Sequence, residues 1–498
     1  MTLRHAYRRS LPFLVVPLAA LAVVACSGGS ATDGPPSLSV IDDRQTTLGE
    51  PIVLAFTVSD EAPETVTVTA TSSVQEVVPD SGLAITGSGG GRTLTVTPSS
   101  SDTGTTTITL TATDAGGQTG TRAFEVVVAE PFQGEPQVLA PQGGDPIGLA
   151  VAIDGGRIVA GGLQSAFVFE LAGGSWAEKQ KLEPPEDNLN DVQGFGEAVA
   201  VAGQRALVGA FLTNGTAAEQ GAAYLFEEGG GSFAFAAELL DPAPEASDRL
   251  GRSVGISGDH LFAGAPLATE NDVRSGSVVT FAPDTPTGWT LLGKLTPSDA
   301  TADTVFGESL DVSGDLLVIG DYANDERGID AGAAYVFERE SGFWTEKAKL
   351  APDTLEAGDQ FGLAVAADAG WVLVGSDNDD DQGTGSGAVY VYTDTGSGWE
   401  QVDKLYAPDA AVNGGFGSGL ALDYPYAAIA AKYDDELGGN TGAVWVFRHD
   451  GTTWWPVAKL SSPTPTVEAY FGTSVDISGE YVVASQLGSA VLTAVFRR

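Results

Sequence analysis

Residues 306–337 read FGESLDVSGDLLVIGDYANDERGIDAGAAYVF, and residues 361–392 read FGLAVAADAGWVLVGSDNDDDQGTGSGAVYVY. Both stretches begin with Phe-Gly, continue as two apolar runs separated by a Gly turn, and end on an apolar run after Gly-Ala. Seven such units occur between Ile147 and Phe471. A repeat this regular indicates one supersecondary unit copied along the chain. The anchoring glycines, which recur every 48 to 56 residues, are Gly148, Gly196, Gly251, Gly307, Gly362, Gly417 and Gly472.

Most full units carry a fourth apolar run that ends in Lys-Leu. Examples are FWTEKAKL (343–350), GWEQVDKL (398–405) and TWWPVAKL (453–460). Helical periodicity is missing outside the extreme N-terminus, so the sequence predicts an all-β chain. Four strands in each of seven units predict a seven-bladed β-propeller over residues 131–498.

The two ends of the repeat array predict how the ring closes. The seventh unit ends at Phe496 after its third strand and has no Lys-Leu run. The segment EPQVLAP (135–141), which precedes the first unit, matches EKAKLAP (346–352) in form. We therefore expect residues 132–139 to supply the missing outer strand of the last blade, which also covers strand edges that would otherwise invite aggregation.

Residues 37–130 follow a different pattern and predict a small β-sandwich domain in front of the propeller. Strictly alternating runs with Thr on the exposed side are typical of antiparallel strands buried on one face. The segment resembles the Ig-like or cadherin-like modules of bacterial surface proteins but lacks a cysteine pair. The resemblance implies a spacer, with ligand binding as the alternative. We expect about seven such strands, and the clearest runs among them are IVLAFTV (52–58), TVTVTAT (65–71), RTLTVTP (92–98), TTITLTATD (106–114) and TRAFEVVV (121–128).

The first 25 residues have the features of a targeting signal. Three arginines precede the apolar run LPFLVVPLAALAVVA, and Cys26, the only cysteine, follows at once. This arrangement resembles the lipobox of bacterial lipoproteins, which implies lipidation of Cys26, a tether over residues 26–36 and a location in the cell envelope, at the outer membrane or cell surface. The alternatives are an ordinary signal peptide with an incidental cysteine and a membrane anchor, for which about 15 apolar residues are short.

The chain is strongly acidic, with 24 Lys and Arg against 66 Asp and Glu and a formal net charge of −42. This balance excludes nucleic acid as a partner and restricts membrane contact to the lipid anchor. Cations, cationic partners or a saline habitat fit the charge, and so does a simple role of acidic loops in solubility.

The repeat motifs resemble the FG-GAP repeats that form the propeller of integrin α subunits. The resemblance rests on the initial Phe-Gly, on Gly264-Ala265-Pro266 in the third unit and on third strands such as GAVYVY (387–392). It covers nearly all of residues 138–498, while the first and seventh units have shortened loops. Nothing corresponds to a partner subunit, and we expect a monomer.

The resemblance implies that the loop between the second and third strands can hold Ca²⁺. In integrin-type repeats a D-x-D-x-D-G pattern converges oxygen atoms on the ion. The best match is Asp377, Asp379 and Asp381, although the glycine, Gly383, comes one residue late. Solvated acidic turns are the alternative. Poorer candidates are Asn324 and Glu326 in the fourth unit and Asp434 and Glu436 in the sixth, where Lys432 occupies the position of Asp377.

The sequence contains little that could support catalysis. After loss of the signal, only His260 and His449 remain, and no nucleophile–base set can be assembled from them. We therefore expect a non-enzymatic module that recognises a protein or glycan at the cell surface, with dependence on Ca²⁺ implied by the resemblance. The alternatives are a structural matrix protein and a propeller glycoside hydrolase or lyase.

Overall fold

The computed structural model describes residues 34–41, 44–129, 132–185, 192–284, 288–488 and 491–498. In these ranges the chain is all-β, and its one helical element is the 3-10 turn Asp80–Gly82. Within the same ranges, no helix has the length and apolar character needed to cross a bilayer. The predicted signal segment 1–25 and the lipidation site Cys26 lie outside the described residues.

Residues 37–129 form two four-stranded sheets. One sheet has the order β1-β3-β6-β5 and the other the order β2-β8-β7-β4, in which β2 runs parallel to β8. The strands are β1 Ser37–Leu38, β2 Arg44–Thr47, β3 Ile52–Ser59, β4 Thr67–Ser72, β5 Leu83–Thr86, β6 Gly91–Val96, β7 Gly104–Thr113 and β8 Thr119–Ala129.

Apolar residues from both sheets share one core. Leu54 and Phe56 of β3 are buried in it together with Ile108 and Leu110 of β7, and their neighbours along each strand are more exposed. This alternation is the one that the sequence predicts. The predicted runs do not include β1, β2 and β5, because these short strands are defined by pairing with a longer neighbour rather than by a pattern of their own.

Residues 133–497 form seven four-stranded antiparallel sheets, which we number 1 to 7 in chain order. Sheet 1 comprises β10 Ile147–Asp154, β11 Arg157–Gly162, β12 Ser165–Ala172 and β13 Ser175–Leu182. Sheet 2 comprises β14 Phe195–Ala202, β15 Arg205–Ala210, β16 Ala222–Gly229 and β17 Ser232–Leu239. Sheet 3 comprises β18 Val254–Ser257, β19 His260–Ala265, β22 Ser277–Asp284 and β23 Gly288–Leu295, with the small hairpin β20 Thr269–Glu270 and β21 Val273–Arg274 between its inner strands.

The remaining sheets repeat the same order of strands. Sheet 4 comprises β24 Ser309–Ser313, β25 Leu316–Asp321, β26 Ala333–Glu340 and β27 Phe343–Leu350. Sheet 5 comprises β28 Val365–Asp368, β29 Trp371–Ser376, β30 Ala388–Asp394 and β31 Trp399–Leu405. Sheet 6 comprises β32 Phe416–Asp423, β33 Tyr426–Ala431, β34 Ala443–His449 and β35 Trp454–Ser461. Sheet 7 comprises β36 Val475–Ser478, β37 Tyr481–Gln486, β38 Leu492–Arg497 and β9 Gln133–Leu139.

The fourth strand of sheet 7 comes from the segment before sheet 1. In β9, Gln137 is the partner of Val495 and Val138 is the partner of Ala494. The strand neighbours of Gln137 and Val138 are therefore the ones that the likeness of EPQVLAP to EKAKLAP predicts.

The first strands of the seven sheets surround a common axis. Each contacts the first strand of the next sheet, and β36 of sheet 7 contacts β10 of sheet 1. A cavity of about 450 Å³ on this axis is lined by residues from the first strands of all seven sheets. The sheets are thus arranged around the cavity, and the loops between the second and third strands all leave from corresponding ends.

Side chains of sheet 7 accept hydrogen bonds from the backbone of sheet 1. The amide of Val151 donates to Ser474 Oγ at 3.0 Å, that of Ile153 to Asp476 Oδ2 at 2.7 Å, and that of Gly155 to Ser478 Oγ at 3.0 Å. Burial raises the pKa of Asp476 to about 7, against the lowering effect of its hydrogen bonds with the amides of Ile153 and Ile477.

Adjacent sheets approach each other most closely at paired glycines. The Phe-Gly glycine Gly362 adopts φ +93°, and its carbonyl oxygen lies where a Cβ atom on Gly320 of the preceding sheet would be. The same overlap would arise between Gly209 and Gly251, Gly264 and Gly307, and Gly375 and Gly417. The neighbouring Phe361 is fully buried and packs edge-on against Tyr390 with ring centroids 5.1 Å apart.

Substitution of Gly320 by Ala tests this contact. The added methyl group would overlap the Gly362 carbonyl oxygen, a backbone atom, so the two sheets would have to separate. We expect the variant to lose about 3 kcal/mol of unfolding free energy, as overpacking of a filled core does. Gly293→Ala is the matched control because a Cβ atom there meets open space. Equal denaturant midpoints for the two variants would contradict the role of the close approach.

Substitution of Asp476 by Asn tests the contact between sheets 7 and 1 through pH. The folded state raises this carboxyl's pKa from 3.8 to about 7, so its contribution to wild-type stability is fully present below pH 4 and is lost as the pH rises through 7. Asn keeps an oxygen acceptor for Ile153 but cannot ionise. We expect the variant to exceed the wild type by about 1–3 kcal/mol at pH 8 and by much less at pH 4, measured by urea unfolding. A difference independent of pH would refute the assignment.

Candidate functional site

In each sheet the loop between the second and third strands is here called the 2–3 loop. The 2–3 loops of sheets 4, 5 and 6 share one conformation. In the loop of sheet 5, Asp379 Oδ1 accepts a hydrogen bond from the amide of Asp381 at 3.1 Å, and Asp380 Oδ1 accepts one from the amide of Gly385 at 2.6 Å. Equivalent bonds occur in sheets 4 and 6. In each of these loops the backbone thus holds in place the side chain at the position of Asp379, which is a predicted ligand, and the side chain that follows it.

The side chain of Lys404 lies between two of the three carboxylates that were predicted to bind Ca²⁺ in sheet 5. Its Nζ atom is 2.7 Å from Asp379 Oδ2 and 2.6 Å from Asp381 Oδ2. Tyr390 and Tyr406 also donate their hydroxyl groups to these two carboxylates, at 2.9 and 3.0 Å. The ammonium group therefore occupies the position expected for the ion.

The charges around Lys404 stabilise its protonated form. Burial of the ammonium lowers its pKa, but hydrogen bonds to Asp379 and Asp381 more than reverse this effect, so the pKa is raised above its ordinary value. The same hydrogen bond from Lys404 lowers the pKa of Asp381. Asp379 is only 3% exposed, and a carboxylate buried to that degree needs a counter-charge. Lys404 supplies it.

Asp377 does not join Asp379 and Asp381 around a common point. Its Oδ2 atom is 3.5 Å from Nζ of Lys432, which belongs to the 2–3 loop of sheet 6, and its buried Oδ1 atom has no hydrogen-bond partner. Burial raises the pKa of Asp377, and Lys432 lowers it. The lysine that stood at a poor ligand position in the sixth unit is thus the counter-ion of the neighbouring loop.

Sheets 4 and 6 repeat the arrangement seen in sheet 5. Lys349 Nζ is 2.6 Å from Glu326 Oε2, 3.4 Å from Asn324 Oδ1 and 2.5 Å from Asp299 Oδ2. Its counterpart in sheet 6 contacts the other pair of predicted ligands and an additional aspartate: Lys459 Nζ is 2.9 Å from Asp434 Oδ2, 2.7 Å from Glu436 Oε2 and 2.6 Å from Asp409 Oδ2.

This geometry does not fit Ca²⁺ at the predicted sites. The ion requires six to eight oxygen ligands at about 2.3–2.6 Å, and an ammonium group at the centre of the carboxylates excludes it. Among the described residues, no group of three or more His, Cys, Asp or Glu side chains is arranged to hold a metal ion. Six of the seven site residues named from the sequence are therefore brought together in pairs, each pair with a lysine, and Asp377 stands apart beside Lys432.

The sequence contains the signal for these lysines, although the motif comparison did not use it. Lys349, Lys404 and Lys459 belong to Lys-Leu runs, and each lies 25 residues after the first carboxylate or amide that it contacts in the 2–3 loop of its own sheet. A constant spacing between a loop acid and a strand lysine indicates a repeated ion pair once the strands are known to be neighbours.

The two histidines among the described residues, His260 and His449, lie in aromatic clusters. His260 packs against Phe262 and Trp344, and His449 packs against Trp371 and Trp454. Burial lowers the pKa of both imidazoles. Trp371 also packs edge-on against Trp454 in the second cluster.

Four segments match the family model described as FG-GAP repeat, and the chain carries these repeats at residues 176–226, 289–337, 344–392 and 399–447. Each match begins on the fourth strand of one sheet and ends on the third strand of the next. The matched segments therefore include the Lys-Leu strand together with the 2–3 loop of the following sheet. No curated protein sequence matches the chain.

Three solved structures resemble the chain with TM-scores of 0.41. The extracellular domain of a proposed one-component system from B. thetaiotaomicron is 11% identical, with 73% of this chain and 40% of that chain covered. An acylaminoacyl peptidase from Pyrococcus horikoshii is 11% identical, with 71% and 52% covered. The β-propeller domain of the Trilobed protease from Pyrococcus furiosus is 10% identical, with 74% and 96% covered. The chain spans less than two thirds of the first two, and these similarities concern the fold alone.

Substitution of Lys404 by Gln tests the role of the lysine and the fit of calcium together. The change leaves the buried Asp379 without its counter-charge, and we expect a loss of about 3 kcal/mol of unfolding free energy. Lys347→Gln is the matched control. Lys347 lies on the outer strand of sheet 4 and pairs with the exposed side chain of Glu340 at the end of the third strand.

Added Ca²⁺ should raise the melting temperature of the Lys404→Gln variant and leave that of the wild type unchanged. The physical reason is that the ion can approach Asp379 and Asp381 only after the ammonium group is gone. Thermal melts with and without a chelator measure the effect. An equal rise in both proteins would show that the lysine does not occupy the calcium position.

Proposed function

We propose that this chain is a lipid-anchored protein of the cell envelope whose repeat domain recognises a protein or glycan outside the cell. In this proposal the seven sheets are the blades of one closed, integrin-α-like propeller, and residues 37–130 form an Ig-like or cadherin-like sandwich that acts as a spacer. The lipid anchor at Cys26 rests on the sequence pattern alone. The protein acts as a monomer and without catalysis.

The observation that carries the proposal is a set of exposed apolar side chains at one end of the sheets. Ile329 and Leu437 lie in the 2–3 loops of sheets 4 and 6 and are 72% and 52% exposed. Val412 and Val467 lie in the segments that lead into sheets 6 and 7 and are 62% and 65% exposed. Large apolar side chains grouped on one surface are typical of interaction sites.

These exposed side chains are carried by anchored backbone. The amide of Gly358 donates to the carbonyl oxygen of Ile329 at 2.9 Å, and that of Glu468 donates to Gly439 at 2.8 Å, so each 2–3 loop is bonded to the segment that enters the next sheet. The lysine–carboxylate contacts hold the same loops from the other side. Loops ordered in advance lose little conformational entropy on binding, which favours recognition over a passive role.

The proposal is tested with the double variant Ile329→Asp/Leu437→Asp of the full chain. Labelled wild-type protein is applied to arrays of glycans and of purified extracellular proteins, and the dissociation constant of each bound component is then measured for both proteins. We expect binding to weaken at least tenfold, because two apolar contacts are replaced by charges that must be desolvated. Phe343→Asp, on the outer strand of sheet 4 and 74% exposed, is the control.

Unchanged affinity in the double variant would contradict recognition through the 2–3 loops. A wild type that binds nothing on either array but forms extended assemblies would favour the structural matrix alternative. Cleavage of an arrayed polysaccharide would favour the hydrolase or lyase alternative. Parallel measurements in a chelator test whether recognition depends on Ca²⁺, the dependence that the family resemblance predicts.

A further inference from the structure

Six of the sheets carry a charged residue at one register position of the fourth strand, directly before the final Leu. In five sheets this residue is a lysine whose ammonium group contacts carboxylates. Sheet 2 has Glu238 instead. Glu238 is the cross-strand register partner of Tyr224, just as Lys349 is the register partner of Tyr335. Sheet 7 has Val138. The lysines are Lys181, Lys294, Lys349, Lys404 and Lys459.

The 2–3 loop of sheet 2 has changed together with the strand. Thr213 stands at the position of Asn324, Asp379 and Asp434, and Gly215 stands at the position of Glu326, Asp381 and Glu436. At these two positions the loop therefore has no carboxylate, and at the compared position the strand has no ammonium group. The charge arrangement of the other loops is reversed in this sheet, because the single carboxylate now projects from the strand.

The Glu238 carboxylate is supplied with fewer donors than it can accept. The hydroxyl of Tyr224 donates to its Oε1 atom at 2.8 Å. Among the described residues, no Lys or Arg nitrogen lies within the 4.0 Å of an ion pair with it. An ionised carboxylate offers about four acceptor sites, so most of its capacity remains open to a ligand.

A cavity of about 370 Å³ lies in front of this carboxylate. Thr213 and Gln220, both buried, form its polar side together with Glu238, while Leu240, Pro242 and Pro244 form an apolar side. Asp241 also lines the cavity, but its charge is already paired with Lys294 at 2.6 Å, and Lys294 contacts Glu270 as well. The side chains of Glu238, Asp241, Glu270 and Lys294 together carry a formal charge of −2, which favours a cation in the cavity.

We infer that this cavity binds the primary ammonium group of a ligand, with the Glu238 carboxylate as its counter-ion and the Leu240–Pro244 wall against its alkyl chain. The ligand supplies from outside the group that a lysine supplies in the five sister sheets. The inference rests on the proposed recognition function, to which it adds one binding site and one class of ligand. The ammonium can belong to a lysine side chain of a protein or to a free amine.

The test is a saturation-transfer NMR titration of the full chain with n-butylammonium chloride at constant ionic strength. We expect saturable binding in the millimolar range, at least tenfold weaker binding to Glu238→Gln, and no binding to Glu238→Lys, in which the lysine of the sister sheets fills the site. Glu346→Gln, on the fourth strand of sheet 4, is the control and should bind as the wild type does. Melting temperatures report whether each variant is folded.

A second titration distinguishes the two sources of the ammonium group. Nα-acetyl-lysine methylamide that binds at least as tightly as n-butylammonium would assign the site to a lysine side chain of a protein. Binding at least tenfold weaker would assign it to a free amine. Equal binding of n-butylammonium to the wild type and to folded Glu238→Lys, or none to the wild type, would overturn the inference. Array binding that persists in that case would leave the proposed recognition function standing.

Discussion

The close approach of backbone between adjacent sheets is the constraint on which the repeat domain depends. At Gly320 and Gly362 the two backbone segments are so close that there is no room for a methyl group on Gly320. The contact recurs at the same point of other sheets, which sets the spacing of their first strands around the axis. Phe361, which is buried beside this contact, belongs to an apolar core that sheets 4 and 5 share.

A chain with a net charge of −42 could be expected to carry its acidic loops toward solvent, but the structure pairs many of them internally. Lys349, Lys404 and Lys459 lie on fourth strands, where they neutralise carboxylates of the 2–3 loops and of the connecting segments. A covalently attached ammonium group thus supplies the positive charge beside the carboxylates of these loops. Sheet 2 departs from this rule, and its departure distinguishes it from the other sheets.

The repeat pattern predicted much of the fold because its causes are local. Phe-Gly positions, Gly turns and alternating apolar runs identified the strands of sheets 1 to 7, and the unpaired Lys-Leu position of the seventh unit identified β9. The short strands β1, β2 and β5 escaped prediction because their pairing partners, rather than their own residues, define them. Around the candidate site, the acidic pairs Asp379–Asp381 and Asp434–Glu436 were found, but the nature of their partner was not.

The sequence by itself determined the number of repeats, the order of strands within each and the identity of the loop acids, since all of these follow from periodicity along the chain. Only the tertiary structure decided what those acids bind. Lys404 is 25 residues from Asp379 and Lys432 is 55 residues from Asp377, and each pair meets only because strands and sheets bring distant segments together. The same reason applies to Glu238, whose meaning depends on the lysines at the same register in other sheets. The strength of an electrostatic interaction depends on the distance between the charges in space. Sequence spacing gives that distance only once the pairing of the strands is known.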